Sequence, residues 1–247
     1  MRQLASCRLA TILIVGLAAT RALGQPVTAT FDGSHLQPYV NAWRYMVTLP
    51  DGSVHPQGIW TDQLIRTQKD GKDVFVRTQG TVLVNGTTST VVNVFDPKTL
   101  LPISDQQTLK GGGLQKRSFH SGEVEAHRTE TPTAAEKRSV TALPGSFYDY
   151  YGGMYAFLLA TAPLTPRYHG HFTSIDEFED KPVDVDFSVV GRERAPAGPR
   201  GSIETWKIVS SRPGQYDLVA WVTDQPPYVI RLNIILPDKR VFDWTMF

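Results

Sequence analysis

Three Asx-Gly pairs, Asp51-Gly52, Asp70-Gly71 and Asn85-Gly86, fall between runs of β-branched and aromatic residues. No other feature restricts the fold as much. Such pairs reach positive φ at low cost, and two-residue hairpin turns need that conformation. Ala42 to Leu49, Gly58 to Gln68 and Val74 to Gln79 therefore read as consecutive strands. Further along, Val183 to Val189 alternates apolar and polar residues, giving one buried and one wet face. Tyr228, Ile230, Leu232, Ile234 and Leu236 repeat that pattern, and Phe242, Trp244 and Met246 continue it. The Pro/Gly-rich stretch Ala195 to Gly201 reads as a loop between strands.

One segment departs from this rhythm. Between Asp149 and Thr161, residues Tyr151, Met154, Tyr155 and Leu158, followed by Ala162, recur at helical spacing. Asp149 is placed to cap a helix, and Pro163 and Pro166 to stop it. The segment is apolar nearly all round, so a short helix buried against the sheet is expected. No repeat and no interdomain linker is visible. The fold class is mainly β: a single curved antiparallel sheet or half-open barrel with one short helix.

The N-terminus is set apart from this fold. Arg2 and Arg8 precede an apolar run from Leu9 to Ala19, and Ala22-Leu23-Gly24 supplies small residues, the order of a secretory signal. The run is shorter than the roughly 20 residues that span a bilayer. Residues 1–24 are therefore expected to be a cleaved signal peptide, 25–34 a disordered lead-in, and 35–247 a single β-barrel-like domain. A periplasmic or secreted protein without a transmembrane segment in its mature chain is implied. The sole cysteine, Cys7, precedes the apolar run, so a lipoprotein is not expected, and neither is a disulfide or thiolate metal site.

Removing Arg2, Arg8 and Arg21 from the 25 basic residues leaves 22 against an unchanged 24 acids, a net charge of −2. The basic clusters at Lys116-Arg117 and Arg192 to Arg194 are short. No block is present to neutralise a phosphate backbone, so nucleic acid is not an expected partner.

Asp96-Pro97-Lys98-Thr99 combines residue types found in catalytic sites. A turn explains every one of them: Asp accepts a nearby backbone N–H, and Pro presets φ at the second position. Val91, Val92, Val94 and Phe95 before it, and Leu100, Leu101 and Ile103 after it, are strand residues. The same order, D-P-x-T-L-x-P, precedes a Gly-rich turn and then Phe119-His120-Ser121-Gly122-Glu123-Val124. With Val190-Gly191-Arg192-Glu193, Trp206-Lys207-Ile208-Val209 and Trp221-Val222-Thr223-Asp224, it resembles the bacterial exported family Domain of Unknown Function 3108. The resemblance implies a curved antiparallel barrel similar in shape to periplasmic lipoprotein carriers. It implies no activity and no catalytic residues. The chain departs from the family pattern at Pro199-Arg200-Gly201 and at Gln225-Pro226-Pro227.

His169-Gly170-His171 places two imidazoles on one strand face, followed by Asp176, Glu177, Glu179 and Asp180. Imidazole and carboxylate together suit zinc. No third ligand has a spacing that forces convergence, so surface histidines are expected and no metal or other cofactor. The chain lacks G-x-S-x-G, H-E-x-x-H and phosphate-binding glycine patterns, so no catalytic residue is assigned. The remaining candidates are the aromatics from Phe147 to Phe157 with Trp206, Trp221 and Tyr228. They read as core, or as the lining of an apolar cavity between helix and sheet. Met154, Tyr155, Leu158 and Trp221 are the expected lining. The leading expectation is a non-enzymatic barrel that binds an apolar small molecule or lipid, or a segment of an envelope protein. A structural or interaction module with a filled barrel is the alternative, and a hydrolase with an unrecognised site the third.

Overall fold

Each Asx-Gly pair turns the chain as expected. The computed structural model describes residues 27–109, 111–143, 145–149, 154–175, 181–212 and 214–247. Strand β2 (Tyr39–Thr48) reverses at Asp51-Gly52 into β3 (Val54–Lys69), which reverses at Asp70-Gly71 into β4 (Lys72–Leu83). Asp70 and Gly71 both take positive φ, 52° and 74°, the pairing that matches strand twist in a two-residue hairpin. Asn85-Gly86 leads to β5 (Thr88–Phe95), with β6 (Pro102–Thr108), β7 (Leu114–His120), β8 (Glu123–Thr129) and β9 (Lys137–Ala142) following.

Helix α1 (Met154–Leu159) separates this meander from a second one. That second meander comprises β10 (His169–Ile175), β11 (Pro182–Pro196), β12 (Ser202–Arg212), β13 (Tyr216–Val222), β14 (Val229–Ile235) and β15 (Val241–Met246). The helix is shorter than its periodicity implied, but its apolar character has the expected consequence: Ala156 to Leu159 are fully buried. The residues between Asp149, the expected cap, and Met154 lie outside the described residues. The Asp149 carboxylate faces Asn93 and Arg117 across the sheet.

The two meanders form one sheet in the order β1-β10-β11-β12-β13-β14-β15-β2-β3-β4-β5-β6-β7-β8-β9, where β1 is Val27–Thr28. Its neighbours are antiparallel throughout except for β1 beside β10. The last strand β15 lies between β14 and β2, so it joins the second meander to the first near the middle of the sheet. The sheet curls without closing. Tyr148 N–H donates to the Thr173 carbonyl at 2.9 Å, bringing the segment after β9 to the edge of β10. Phe119, Val124, Leu143, Phe147 and Ile175 pack where these two ends approach.

From Val27 onward the lead-in makes contacts with the sheet through its apolar residues. Ala29 N–H donates to the His171 carbonyl at 2.7 Å, and Phe31 is buried against Tyr148 and Phe172, with ring centroids 4.7 and 5.1 Å away. Residues 1–26 lie outside the described residues, as do Tyr150 and Tyr151.

Candidate functional site

The junction of β15 with β2 creates a small apolar concavity. Pairing places Met246, Trp43 and Trp60 in one cross-strand row, and Trp244 and Tyr45 in the next. Strand alternation sends these side chains to the inner face, where α1 covers part of the sheet. A crevice is lined by Trp43, Trp60, Trp244, Ala156, Val229 and Leu232, with Arg77 and Gln79 as its polar lining residues. Its volume is about 30 Å³, room for one or two water-sized groups.

A half-buried aromatic surface borders the crevice. The Tyr45 and Trp244 rings stack at 4.6 Å and 5°, Trp60 meets Trp244 edge-on at 5.9 Å, and Phe242 adjoins both Tyr45 and Trp244. Partial burial raises the Tyr45 hydroxyl above its ordinary pKa, so it stays a neutral donor and acceptor.

The polar lining is held by charge. Arg77 donates from Nε to Asp62 Oδ1 at 2.9 Å and from Nη2 to Oδ2 at 2.8 Å, and Tyr39 Oη donates to Oδ2 at 2.6 Å. Arg77 also lies 4.8 Å above the Phe157 ring, which ties β4 to the helix. Gln79, directly opposite Asp62 on the neighbouring strand, is only 3% exposed. Its Oε1, and the indole N–H groups of Trp60 and Trp244, have no hydrogen-bond partner among the described residues.

A second buried polar group lies further along the inner face. Arg77, Asn93, Asp105 and Arg117 occupy successive positions of one cross-strand row. Arg117 Nε donates to Asp105 Oδ2 at 2.7 Å, and Asn93 Nδ2 donates to Asp149 Oδ2 at 2.6 Å. Burial pushes the Asp105 carboxyl well above the usual carboxylate range. The Arg117 cation opposes that shift and the neighbouring Asp149 adds to it.

The expected lining residues are distributed differently. Leu158 is fully buried in the main core and does not border the crevice; its helix neighbour Ala156 does. Trp221 belongs to the buried cluster, but pairing places it with Lys207 and Arg231, on the face opposite Ala220 and Leu232. Its Nε1 donates to Glu193 at 3.0 Å, with Lys207 and Arg231 against its ring. The side chains of Met154 and Tyr155 lie outside the described residues.

His169 and His171 do alternate onto one face of β10, but Asp176, Glu177, Glu179 and Asp180 lie outside the described residues. No group of three metal-ligating side chains converges among the described residues. The residues that sequence reasoning missed are Asp62, Arg77 and Gln79, with Trp43, Trp60 and Trp244. Each is inward-facing in its strand, a signal present in the alternation. What alternation does not carry is that β15 returns to β2.

The fold and this site define a class: a β-barrel-like protein with an open, curled antiparallel sheet and an aromatic crevice beneath a short helix. The chain belongs to the DUF3108 family of proteins of unknown function, which matches residues 61–238. Asp62, Arg77 and Gln79 fall inside that span, whereas Trp43, Trp60 and Trp244 fall outside it. A solved structure similar to this chain is a β-barrel-like protein of domain of unknown function DUF1849 from Brucella abortus. It is 11% identical, with 85% of this chain and 95% of that chain covered and a TM-score of 0.43. No curated protein matches the sequence.

Proposed function

We propose that this chain is an exported, non-enzymatic binding module that takes a lipid-like molecule onto the inner face beside β15 and β2. The single observation that carries this reading is the half-buried surface of Tyr45, Phe242, Trp60 and Trp244 bordering the crevice. Large apolar rings left partly open on a rigid sheet are a ready contact for another apolar body. The crevice is too small to enclose a chain. The ligand's end enters it, and its apolar remainder lies along the aromatic rings. Export is supported by the order of Arg2, Arg8, the apolar run and Ala22-Leu23-Gly24.

The test is native mass spectrometry and solvent extraction of protein recovered from the periplasm or medium. A mature chain beginning at Gln25, without an acyl increment, and a co-purified amphiphile are expected. Adding medium-chain amphiphiles to stripped protein should raise its melting temperature, since a ligand specific to the folded state stabilises by mass action. No bound compound in any preparation and no shift with any amphiphile would remove this reading.

One observation favours a second reading, a module that pairs with a segment of an envelope protein. Strand β9 is exposed along nearly its whole length and is paired only with β8 among the described residues. Such an edge can accept an added strand. Binding of protein but not amphiphile would favour that alternative.

A further inference from the structure

We propose that the β9 edge pairs with the β9 edge of a second copy of this chain, joining two curled sheets across a two-fold axis at Val140. The crevice plays no part in this pairing. At the opposite end of the sheet β10 is covered: β1 pairs with it, and the Tyr148 N–H donates to the Thr173 carbonyl at 2.9 Å. Strand β9 is paired only with β8 among the described residues. Lys137 to Val140 and Ala142 are exposed and Thr141 is half-buried, so this edge is open to an added strand.

The direction of the backbone groups follows from one hydrogen bond. Leu143 N–H donates to the Gly122 carbonyl at 2.8 Å, one step beyond the Ala142–Glu123 pair. Hydrogen-bonded and non-hydrogen-bonded pairs alternate along an antiparallel ladder. Thr141, Ser139 and Lys137 therefore bond to β8, whereas Ala142, Val140 and Arg138 turn their N–H and C=O groups to the open edge. A two-fold axis at Val140 sets Val140 opposite itself and Arg138 opposite Ala142 of the second copy. All three outward residues then meet outward partners, and each such pair exchanges two hydrogen bonds.

The side chains accept this register. Val140, 54% exposed, gains a β-branched neighbour, and Ser139 faces Thr141 of the second copy, both favourable cross-strand contacts. A slip of one residue would set outward groups against ones already bonded to β8. A slip of two toward Lys137 would make the two Arg138 side chains diagonal neighbours, which like charge opposes. Charge does not call for an acidic strand from another protein, because Arg138 Nε already donates to Glu125 at 2.5 Å. An edge of 6 residues buries little area, so the dimer is weak and concentration-dependent.

Sedimentation velocity of the full mature protein over rising concentration should show monomer passing into dimer. Val140→Pro removes an N–H that β8 does not use, which an edge strand tolerates, and should weaken the dimer about tenfold or more. Cysteine variants test the register, since the sole cysteine, Cys7, lies in the expected signal. Hydrogen-bonded partners stand about 5.5 Å apart at Cα, within disulfide reach. Under mild oxidation Val140→Cys should therefore form disulfide dimers. Arg138→Cys and Ala142→Cys should each stay monomeric alone and join when mixed. Val82→Cys, at a position 55% exposed, gives the rate of chance collision. A monomer at every concentration whose Val140→Cys joins no faster than Val82→Cys overturns the proposal, even where Val140→Pro fails to fold. So does a dimer that keeps its affinity in Val140→Pro and joins through Arg138→Cys alone. A chain that stays monomeric but takes an added strand peptide at β9 gives the edge to another protein, and self-pairing falls with that result too. None of these outcomes bears on amphiphile binding at the crevice.

Discussion

Arg77 and Asp62 meet through two hydrogen bonds, 2.9 and 2.8 Å long, with side chains 1% and 0% exposed. They lie on adjacent strands, two residues out of direct opposition and on the same face. The pair therefore fixes the lateral position of β3 against β4 at the polar lining of the crevice. A buried pair of this kind is costly to break, because the remaining charge stays desolvated. Asp62→Ala should destabilise by about 3–5 kcal/mol, measured by denaturant unfolding. Replacing both members, Asp62→Leu with Arg77→Met, should recover most of that loss. A double variant as unstable as the single one would mean that the ion pair is not the source of the effect.

The pH dependence of stability should carry the signature of Asp105. Burial raises its folded-state pKa, so between the ordinary carboxylate value and the raised one the folded protein keeps a proton that the unfolded chain releases. This contribution is fully present below about pH 4 and is lost as pH rises through the folded value. Asp105→Asn mimics the neutral acid: its oxygen accepts from Arg117 and its amide can donate to Asp149. At neutral pH the variant should match or exceed the native protein, and the decline with rising pH should flatten. Urea midpoints across pH 4 to 8 check this. A destabilised Asn variant with an unchanged slope would mean that Asp105 is ionised in the folded protein.

Asp96 works as a turn residue, and its substitution should show it. Its Oδ1 accepts from the Lys98 N–H at 3.0 Å, the Thr99 N–H at 2.7 Å and the Thr99 hydroxyl at 2.9 Å. Partial burial acts to raise its pKa, but the hydrogen bonds from Thr99 and Lys98 and the Lys98 charge hold it below the ordinary value. Asp96→Ala should lower stability by about 1–2 kcal/mol. Lys98→Ala should change almost nothing, since the contact from Gly33 N–H goes to the Lys98 backbone carbonyl. Loss of ligand binding in Lys98→Ala, with its melting curve intact, would contradict the turn assignment.

Local chemistry was legible in the sequence where it decides structure locally. The Asx-Gly turns, the Asp96 turn and the inward face of Val185, Phe187 and Val189 all follow from adjacent residues. The site was less legible because its parts are joined by distant pairings. Trp244 meets Tyr45 only because β15 docks beside β2, and nothing in either strand specifies that neighbour. Trp221 misleads for the opposite reason. An aromatic in a buried strand reads as lining, yet Lys207, Arg231 and Glu193 bury it from the other face. The buried charges were hidden as well, since Asp62, Arg77, Asp105 and Arg117 find their partners across strands, which adjacent residues do not specify.

Leu158 separates a solid helix–sheet interface from a hollow one. It is fully buried, as are Phe157 and Leu159 beside it, and among the described side chains of α1 the crevice is lined by Ala156. A tryptophan at position 158 must therefore displace packed neighbours instead of filling a void. Overpacking of this kind typically costs about 1–3 kcal/mol, and Leu158→Trp should fall in that range by urea or thermal unfolding. Ala156→Leu should behave differently. Its added carbons project toward the crevice, so it should block amphiphile uptake at a smaller cost in stability. The two variants form an opposed pair, one altering stability more than binding and the other binding more than stability. If Leu158→Trp is tolerated without loss and abolishes uptake while Ala156→Leu has no effect on uptake, the ligand enters behind Leu158, and the aromatic crevice is not where it binds.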